Sequence, residues 1–269
     1  NGSSNAWDQA RGQPWFTEWY SKAVAYDAIA DLTRVPSGAP YNEDYAFPGF
    51  PVVTNTASTV PTDLLMFTGD SRKSAAYMAN VFANQSRMAA MSLSTTAHPI
   101  STVNAAGSGK SQTEYLAIAM DMLTAGVRPT VIALPGYSQN GFTTAAFFIN
   151  ANANFMASVR AIPGMENVKF VLDTDYSLGN YSGATPNGES YTAVAHARSL
   201  ANGTNVFVFD SDSIITDYTT TSGQPKIKAA YLVGGDSIHA GPAGHTAMAY
   251  GDGTTPGLQS VYRSAFGIA

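Results

Sequence analysis

Two groups of residues, far apart in the chain, could together activate a hydroxyl group. Early on, the apolar run Leu64 to Phe67 leads straight into Gly69-Asp70-Ser71. Late in the chain, Asp236 and His239 stand three positions apart in a loop bounded by Gly235 and Gly241-Pro242. A serine is a weak nucleophile until a base takes its proton, and a carboxylate that orients the imidazole improves that base. In a turn, the i, i+3 spacing lets the Asp236 carboxylate reach the Nδ1 proton of His239 and leaves Nε2 free. Ser71 is thus the candidate nucleophile, His239 the candidate base and Asp236 the candidate orienting acid. The plainer alternative for Gly69-Asp70-Ser71 is a strand-to-helix turn with a Ser or Asp cap. Asp70 reads as a residue that bonds loop N–H groups. His245 is expected to pack or cap locally, and His98 and His196 to be structural or exposed.

These residues need a scaffold, and the chain alternates strand-like and helix-like segments from residue 63 onward. Strands are expected at 63–67, 100–104, 130–134, 168–172 and 206–209. Helices are expected at 74–93, 111–124, 142–162, 189–200 and 242–250, the last with Pro242 in its first turn. Strands separated by helix-length segments need crossovers, so a mostly five-stranded parallel sheet covered on both faces follows, an α/β fold in three layers. Active groups in such sheets gather beyond the carboxyl ends of the strands. Ser71, Ser138, Asn140, Asp173 and Asp210 all fall there. Residues 1–62 differ: they hold all three tryptophans and a turn-rich stretch from Pro36 to Pro51. They read as an aromatic extension packed on a 63–269 catalytic domain, or as a small accessory segment that stacks on sugars.

Composition narrows the function. The 269 residues are 45% hydrophobic, enough for one sizeable core. Net charge is −5 and charged residues are only 12%, so no basic groove for nucleic acid is expected. No apolar run approaches the length of a membrane-spanning helix. With no cysteine, thiol nucleophiles, thiolate metal sites and disulfides are excluded. The neutral-polar composition favours an extracellular or surface-exposed protein. The opening residues Asn1-Gly2-Ser3-Ser4 carry no initiator Met and no apolar signal core, as expected of a processed chain or a fragment. The Asn-x-Ser/Thr triplets at Asn1, Asn84, Asn180 and Asn202 are expected mostly by chance in so Asn-rich a chain.

The order Gly-Asp-Ser early and Asp-x-x-His late resembles the SGNH (GDSL-type) hydrolases. Asn104-Ala105-Ala106-Gly107-Ser108-Gly109 resembles that family's second block, and Leu134-Pro135-Gly136-Tyr137-Ser138-Gln139-Asn140 sits where its third block belongs. The resemblance spans about residues 63–250 and implies a flavodoxin-like α/β/α core. It implies Ser71 as nucleophile, His239 as general base and Asp236 as orienting acid. It also implies an oxyanion hole built from the Ser71 N–H, a backbone N–H at Ala106 or Gly107, and a side-chain donor from the third block. The sequence departs from the family at two places. Ala106 stands where the second block usually has Gly, and Ser138 occupies the usual Asn position of the third. Either Ser138 donates or a shifted loop brings in Asn140.

Rival chemistries are weaker. Gly107-Ser108-Gly109-Lys110-Ser111 resembles a phosphate-binding loop but has Asn104 where that motif needs Gly. Asp173, Asp175, Asp210 and Asp212 could ligate a metal, but such residues more often cap loops, and neither a metal nor a cofactor is expected. The implied activity is a serine esterase, with O-acetyl groups on a glycan as the preferred substrate. The alternatives are a lipase, lysophospholipase or thioesterase for longer acyl chains, with Phe142, Phe147, Phe148 and Met156 lining an acyl channel, and a non-catalytic glycan-binding or structural domain.

Overall fold

The computed structural model describes residues 63–73, 84–138, 140–141, 144–176, 187–217, 226–233 and 238–269. The aromatic N-terminal segment 1–62 lies outside them. Five strands, β1 (Asp63–Phe67), β2 (Ile100–Asn104), β3 (Val131–Pro135), β4 (Lys169–Asp173) and β5 (Val206–Phe209), form one sheet in the order β2-β1-β3-β4-β5. Every pairing in it is parallel. This is the doubly wound order, with a switch of direction between β1 and β3.

The strand sequences explain the two covered faces. Side chains alternate across a strand. Leu65, Phe67, Val131, Ala133 and Val171 therefore face one way and Met66, Ile132, Leu134, Phe170 and Leu172 the other, all buried. On the first face lie α1 (Gln85–Leu93), α6 (Pro242–Tyr250) and α7 (Leu258–Phe266). The second face is covered by α2 (Gln112–Thr124) and α3 (Ala145–Arg160), with α4 (Asn187–Ser199) packed beside α3. A short α5 (Ser211–Ile215) follows β5, and β6 (Thr216–Asp217) pairs antiparallel with β7 (Lys226–Ile227). The expected three-layer α/β/α core is the observed one.

Beyond shifts of one or two residues at element ends and the short α5, β6 and β7, three differences from the sequence expectations stand out. The expected helix over 74–93 does not run through Asn84, which is extended (φ −68°, ψ 133°) and caps α1. Its Oδ1 accepts from the Ser86 and Arg87 N–H groups, and its Nδ2 donates to the Lys73 carbonyl at 2.6 Å. A capping Asn satisfies amides that no preceding turn can reach, so the helix starts there. The same bonds bury Asn84 and leave its side chain committed inside the fold. Helix α3 likewise begins later than expected, where the Thr144 hydroxyl accepts from the Phe147 N–H. The third difference is α7, which the sequence reading did not include. Leu258, Tyr262, Ala265 and Phe266 recur at helical spacing and are buried against α1 and the sheet.

Ile132, central in β3 and fully buried, tests this packing. Ile132→Ala is expected to lower the unfolding free energy by about 3 kcal/mol in urea denaturation, through lost transfer energy plus a cavity.

Candidate active site

The turn after β1 is held from three sides. The Thr68 N–H donates to the Ala133 carbonyl of β3, and the Thr68 hydroxyl lies 3.1 Å from the Tyr115 carbonyl of α2. Gly69 follows with φ +140°, a conformation that disfavours any side chain. A Cβ there would stand 2.5 Å from the Lys73 Cγ. The chain then reverses through Asp70–Lys73, closed by the Lys73 N–H on the Asp70 carbonyl and by the Arg72 N–H on Asp70 Oδ1. This Asx-type turn leaves Ser71 half-buried at its apex while its neighbours Asp70, Arg72 and Lys73 point inward.

His239 comes from the other end of the chain. Its loop is pinned by the Val233 N–H on its carbonyl, by the Gly241 N–H on the Tyr231 carbonyl, and by the start of α6. Its Nε2 lies 2.8 Å from Ser71 Oγ, across 168 positions of sequence. With the imidazole proton on Nδ1, the serine hydroxyl donates to Nε2, the arrangement a general base needs. Asp236, the candidate orienting acid, lies outside the described residues.

His245 is a different kind of histidine. It is buried, and its Nδ1 is hydrogen-bonded to Gln85 Oε1 at the start of α1. Burial, reinforced by the nearby Lys73 cation, pushes its pKa down to about 3. It is therefore a neutral packing group and does not compete for Ser71. His98 pairs with Asp63 at 2.6 Å, at the opposite end of β1 from Ser71.

Most groups expected as oxyanion donors have partners within the protein. The Ala106 N–H donates to Asn104 Oδ1 at 2.8 Å, and the Gly107 N–H donates to the Gly69 carbonyl at 2.9 Å. Each amide has one hydrogen, so both are taken up, that of Ala106 within its own loop and that of Gly107 in tying the loop to the Ser71 turn. Ser138, in the slot of the third block, is fully buried and donates its hydroxyl to Asp70 Oδ2 at 2.6 Å. It thus ties the third-block loop to the nucleophile turn. Asn140 keeps more freedom: one Nδ2 hydrogen reaches the Lys110 carbonyl at 3.3 Å, and an amide carries two.

Beneath Ser71 lies a group of buried charges. Lys73 Nζ stands 2.6 Å from Asp173 and 3.6 Å from Asp175, and Arg72 Nη1 stands 3.0 Å from Asp175. Burial by itself would lower the pKa of both cations. The carboxylates of Asp175 and Asp70 outweigh it for Arg72, and those of Asp173 and Asp175 for Lys73, so both are held above their ordinary values. The four aspartates considered for a metal thus divide: Asp173 and Asp175 hold Lys73 and Arg72, while Asp210 and Asp212 hold Arg198 at 2.7 and 3.1 Å. Among the described residues no cluster of His, Asp and Glu is arranged to hold a metal ion.

Two other rival features also find structural partners. The Ser111 N–H and hydroxyl both donate to Glu114 Oε2 at 2.8 Å, which caps the helix end a phosphate would need. Lys110 pairs with Glu114 at 3.4 Å. Of the side chains considered for an acyl channel, Phe148 is packed under Tyr137 and α4, and Met156 is packed between α3 and the sheet. Phe147 remains 40% exposed, and Phe142 lies outside the described residues.

The Ser71–His239 pair sits beyond the carboxyl ends of the strands at the switch between β1 and β3, the place where α/β proteins of the doubly wound class bind their ligands. No family model and no curated protein sequence matches the chain. Solved structures do. A GDSL-like lipase from Bacteroides thetaiotaomicron superposes with TM-score 0.52 at 9% identity, over 76% of this chain and 88% of its own. A lipase/acylhydrolase from Enterococcus faecalis gives 0.52 at 16% identity, over 76% and 96%. A two-domain esterase active on acetylated mannans gives 0.51 at 14% identity, over 77% and 48%. The chain has the fold of the SGNH (GDSL-type) hydrolases.

The depressed pKa of His245 yields a stability prediction. The unfolded chain takes up this proton near pH 6.5 and the folded one only near pH 3. His245 therefore adds no penalty above pH 6.5 and costs stability as pH falls from 6.5 toward 3. In denaturant melts, His245→Gln is expected to shrink the stability loss between pH 7 and pH 4 by about 3 kcal/mol.

Proposed function

We propose that this protein is a serine ester hydrolase that removes O-acetyl groups from a carbohydrate. The observation that carries the reading is the 2.8 Å contact between Ser71 Oγ and His239 Nε2 at the switch point of the sheet. Ser71 attacks the ester carbonyl carbon while His239 takes its proton. The tetrahedral oxyanion collapses with departure of the alcohol, which His239 protonates. Water, deprotonated by the same imidazole, then releases acetate from the acyl-enzyme. Asp236 takes the part of the orienting acid on His239 Nδ1.

For the oxyanion, the Ser71 N–H and the second amide hydrogen of Asn140 are the donors we favour. Asn140 is preferred to Ser138 because the Ser138 hydroxyl already serves Asp70. Backbone donors at Ala106 and Gly107 are set aside for the same kind of reason. No cofactor enters the reaction.

An acetylated glycan is supported by the mannan esterase among the structural neighbours and by the burial of Phe148 and Met156, which removes two walls of an acyl channel. The lipases among those neighbours favour a second reading, hydrolysis of longer acyl esters.

Wild-type enzyme is expected to hydrolyse p-nitrophenyl acetate, and Ser71→Ala to lose that activity to background. Equal rates for the two proteins would refute the serine mechanism. A clear preference for the octanoyl over the acetyl ester would replace the deacetylase reading with the second one. Asn140→Ala is expected to lower kcat about 100-fold, the loss of roughly 3 kcal/mol typical of one oxyanion donor, whereas unchanged kcat would remove Asn140 from that role.

A further inference from the structure

We infer that Tyr176 is a positioning residue that sets the separation of Ser71 and His239. The inference rests on the serine-esterase reading of that pair.

Tyr176 lies three residues beyond the end of β4, in none of the segments that the sequence marks for catalysis, and it is fully buried. All three loops that carry the site nevertheless bond to it. Its carbonyl accepts from Arg72 Nη1 at 3.1 Å, the residue next to the nucleophile. The same carbonyl accepts from the Tyr137 hydroxyl at 2.9 Å, in the third-block loop next to Ser138. Its own hydroxyl donates to the Ile238 carbonyl at 3.4 Å, the residue immediately before His239. The Arg72 guanidinium also lies over the Tyr176 ring, 4.9 Å from its centroid.

The backbone leading to Tyr176 is held against its preference. Asp175 is the one non-glycine among the described residues with positive φ, at 59°. Such a conformation persists where surrounding contacts over-determine it, and it clusters at functional sites. Here the contacts are visible: the Asp175 N–H donates to Asp173 Oδ1, the Tyr176 N–H donates to Asp175 Oδ1, and Asp175 Oδ1 faces Arg72. The turn aims the Tyr176 carbonyl at the nucleophile side and its hydroxyl at the base side. One side chain thus spans the gap between two loops that are 168 positions apart in sequence.

A spacer of this kind acts on geometry and touches no substrate. Proton transfer from Ser71 to His239 depends steeply on heavy-atom separation, so loosening the base loop should slow the chemical step and leave binding alone. Tyr176→Phe removes the hydroxyl and keeps the ring over Arg72, the backbone carbonyl and the packing.

The test uses three readouts on the whole chain. With p-nitrophenyl acetate, Tyr176→Phe is expected to lower kcat about tenfold with KM within twofold, at a temperature where circular dichroism shows the variant fully folded. Phosphonylation of Ser71 by a fluorophosphonate, which forms the Oγ–P bond and releases fluoride, is expected to slow by a similar factor. Arg72→Lys, which keeps the charge but loses the guanidinium over the ring, is expected to slow both reactions as well. Wild-type rates in folded Tyr176→Phe overturn the inference while leaving the esterase reading intact. Loss of activity only in proportion to unfolded protein also overturns it, since that marks a purely structural role. A wild-type protein that neither hydrolyses esters nor reacts with the fluorophosphonate refutes the esterase reading, and the inference falls with it.

Discussion

The candidate site depends on burying two cations beside Ser71. Arg72 and Lys73 follow Ser71 directly, and both side chains turn into the protein rather than toward water. Desolvating a cation costs several kcal/mol, so the arrangement persists only because Asp173 and Asp175 meet the two charges at 2.6 to 3.6 Å. Those carboxylates stand at the end of β4, two strands away from β1 in the sheet order. The ion pairs therefore fasten the nucleophile turn to a distant strand end. Such pairs add little net stability over well-packed apolar groups. What they add here is direction: with both neighbours anchored below, Ser71 is left at the apex of the turn.

Other parts of the site lean on the same network. Asp70 accepts the Ser138 hydroxyl, so the third-block loop is tied to the nucleophile turn by a charge-assisted bond. Gly107 donates to Gly69, which ties the second-block loop to it as well. Arg72 meets Tyr176, and Tyr176 meets the loop of the base. The residues that depart from the usual family pattern thus have structural partners in this chain: Ser138 braces the Ser71 turn, and Ala106 bonds Asn104 within its own loop. Asn140, by contrast, keeps one amide hydrogen beyond its bond to the Lys110 carbonyl.

The sheet supplies the frame in which these contacts can form. Its register brings Phe67 level with Asn104 and Ala133, and Pro135 level with Asp173. The four loops that leave these strands therefore emerge side by side at one edge. That edge holds the hydroxyl and the imidazole, while His98 and Asp63 mark the other end of β1. The alternation of Leu65 and Phe67 against Met66 along β1, repeated in β3 and β4, covers both faces and leaves the strand ends to carry the loops of the site.

Much of this was legible in the residue order. Strand and helix periodicity marks all five strands, since parallel strands buried on both faces read as short apolar runs. Ser71 and His239 were legible because each sits in a short local pattern whose spacing carries its chemistry. The start of α1 at Asn84 and the late helix α7 were less so, because a capping side chain and an amphipathic nine-residue turn of chain leave fainter marks. The side-chain partners of the oxyanion loops and of Tyr176 were not legible. Which hydrogen an amide or hydroxyl donates, and to what, depends on how loops from different strands face one another. Sequence alone determined the layers, the strand ends where the candidate residues gather, and that Ser71 and His239 would meet there. Only the tertiary structure decided that Ser138 bonds inward, that His245 is buried neutral, and that two cations beside the serine are held from below, because each of these is a contact between residues remote in the chain.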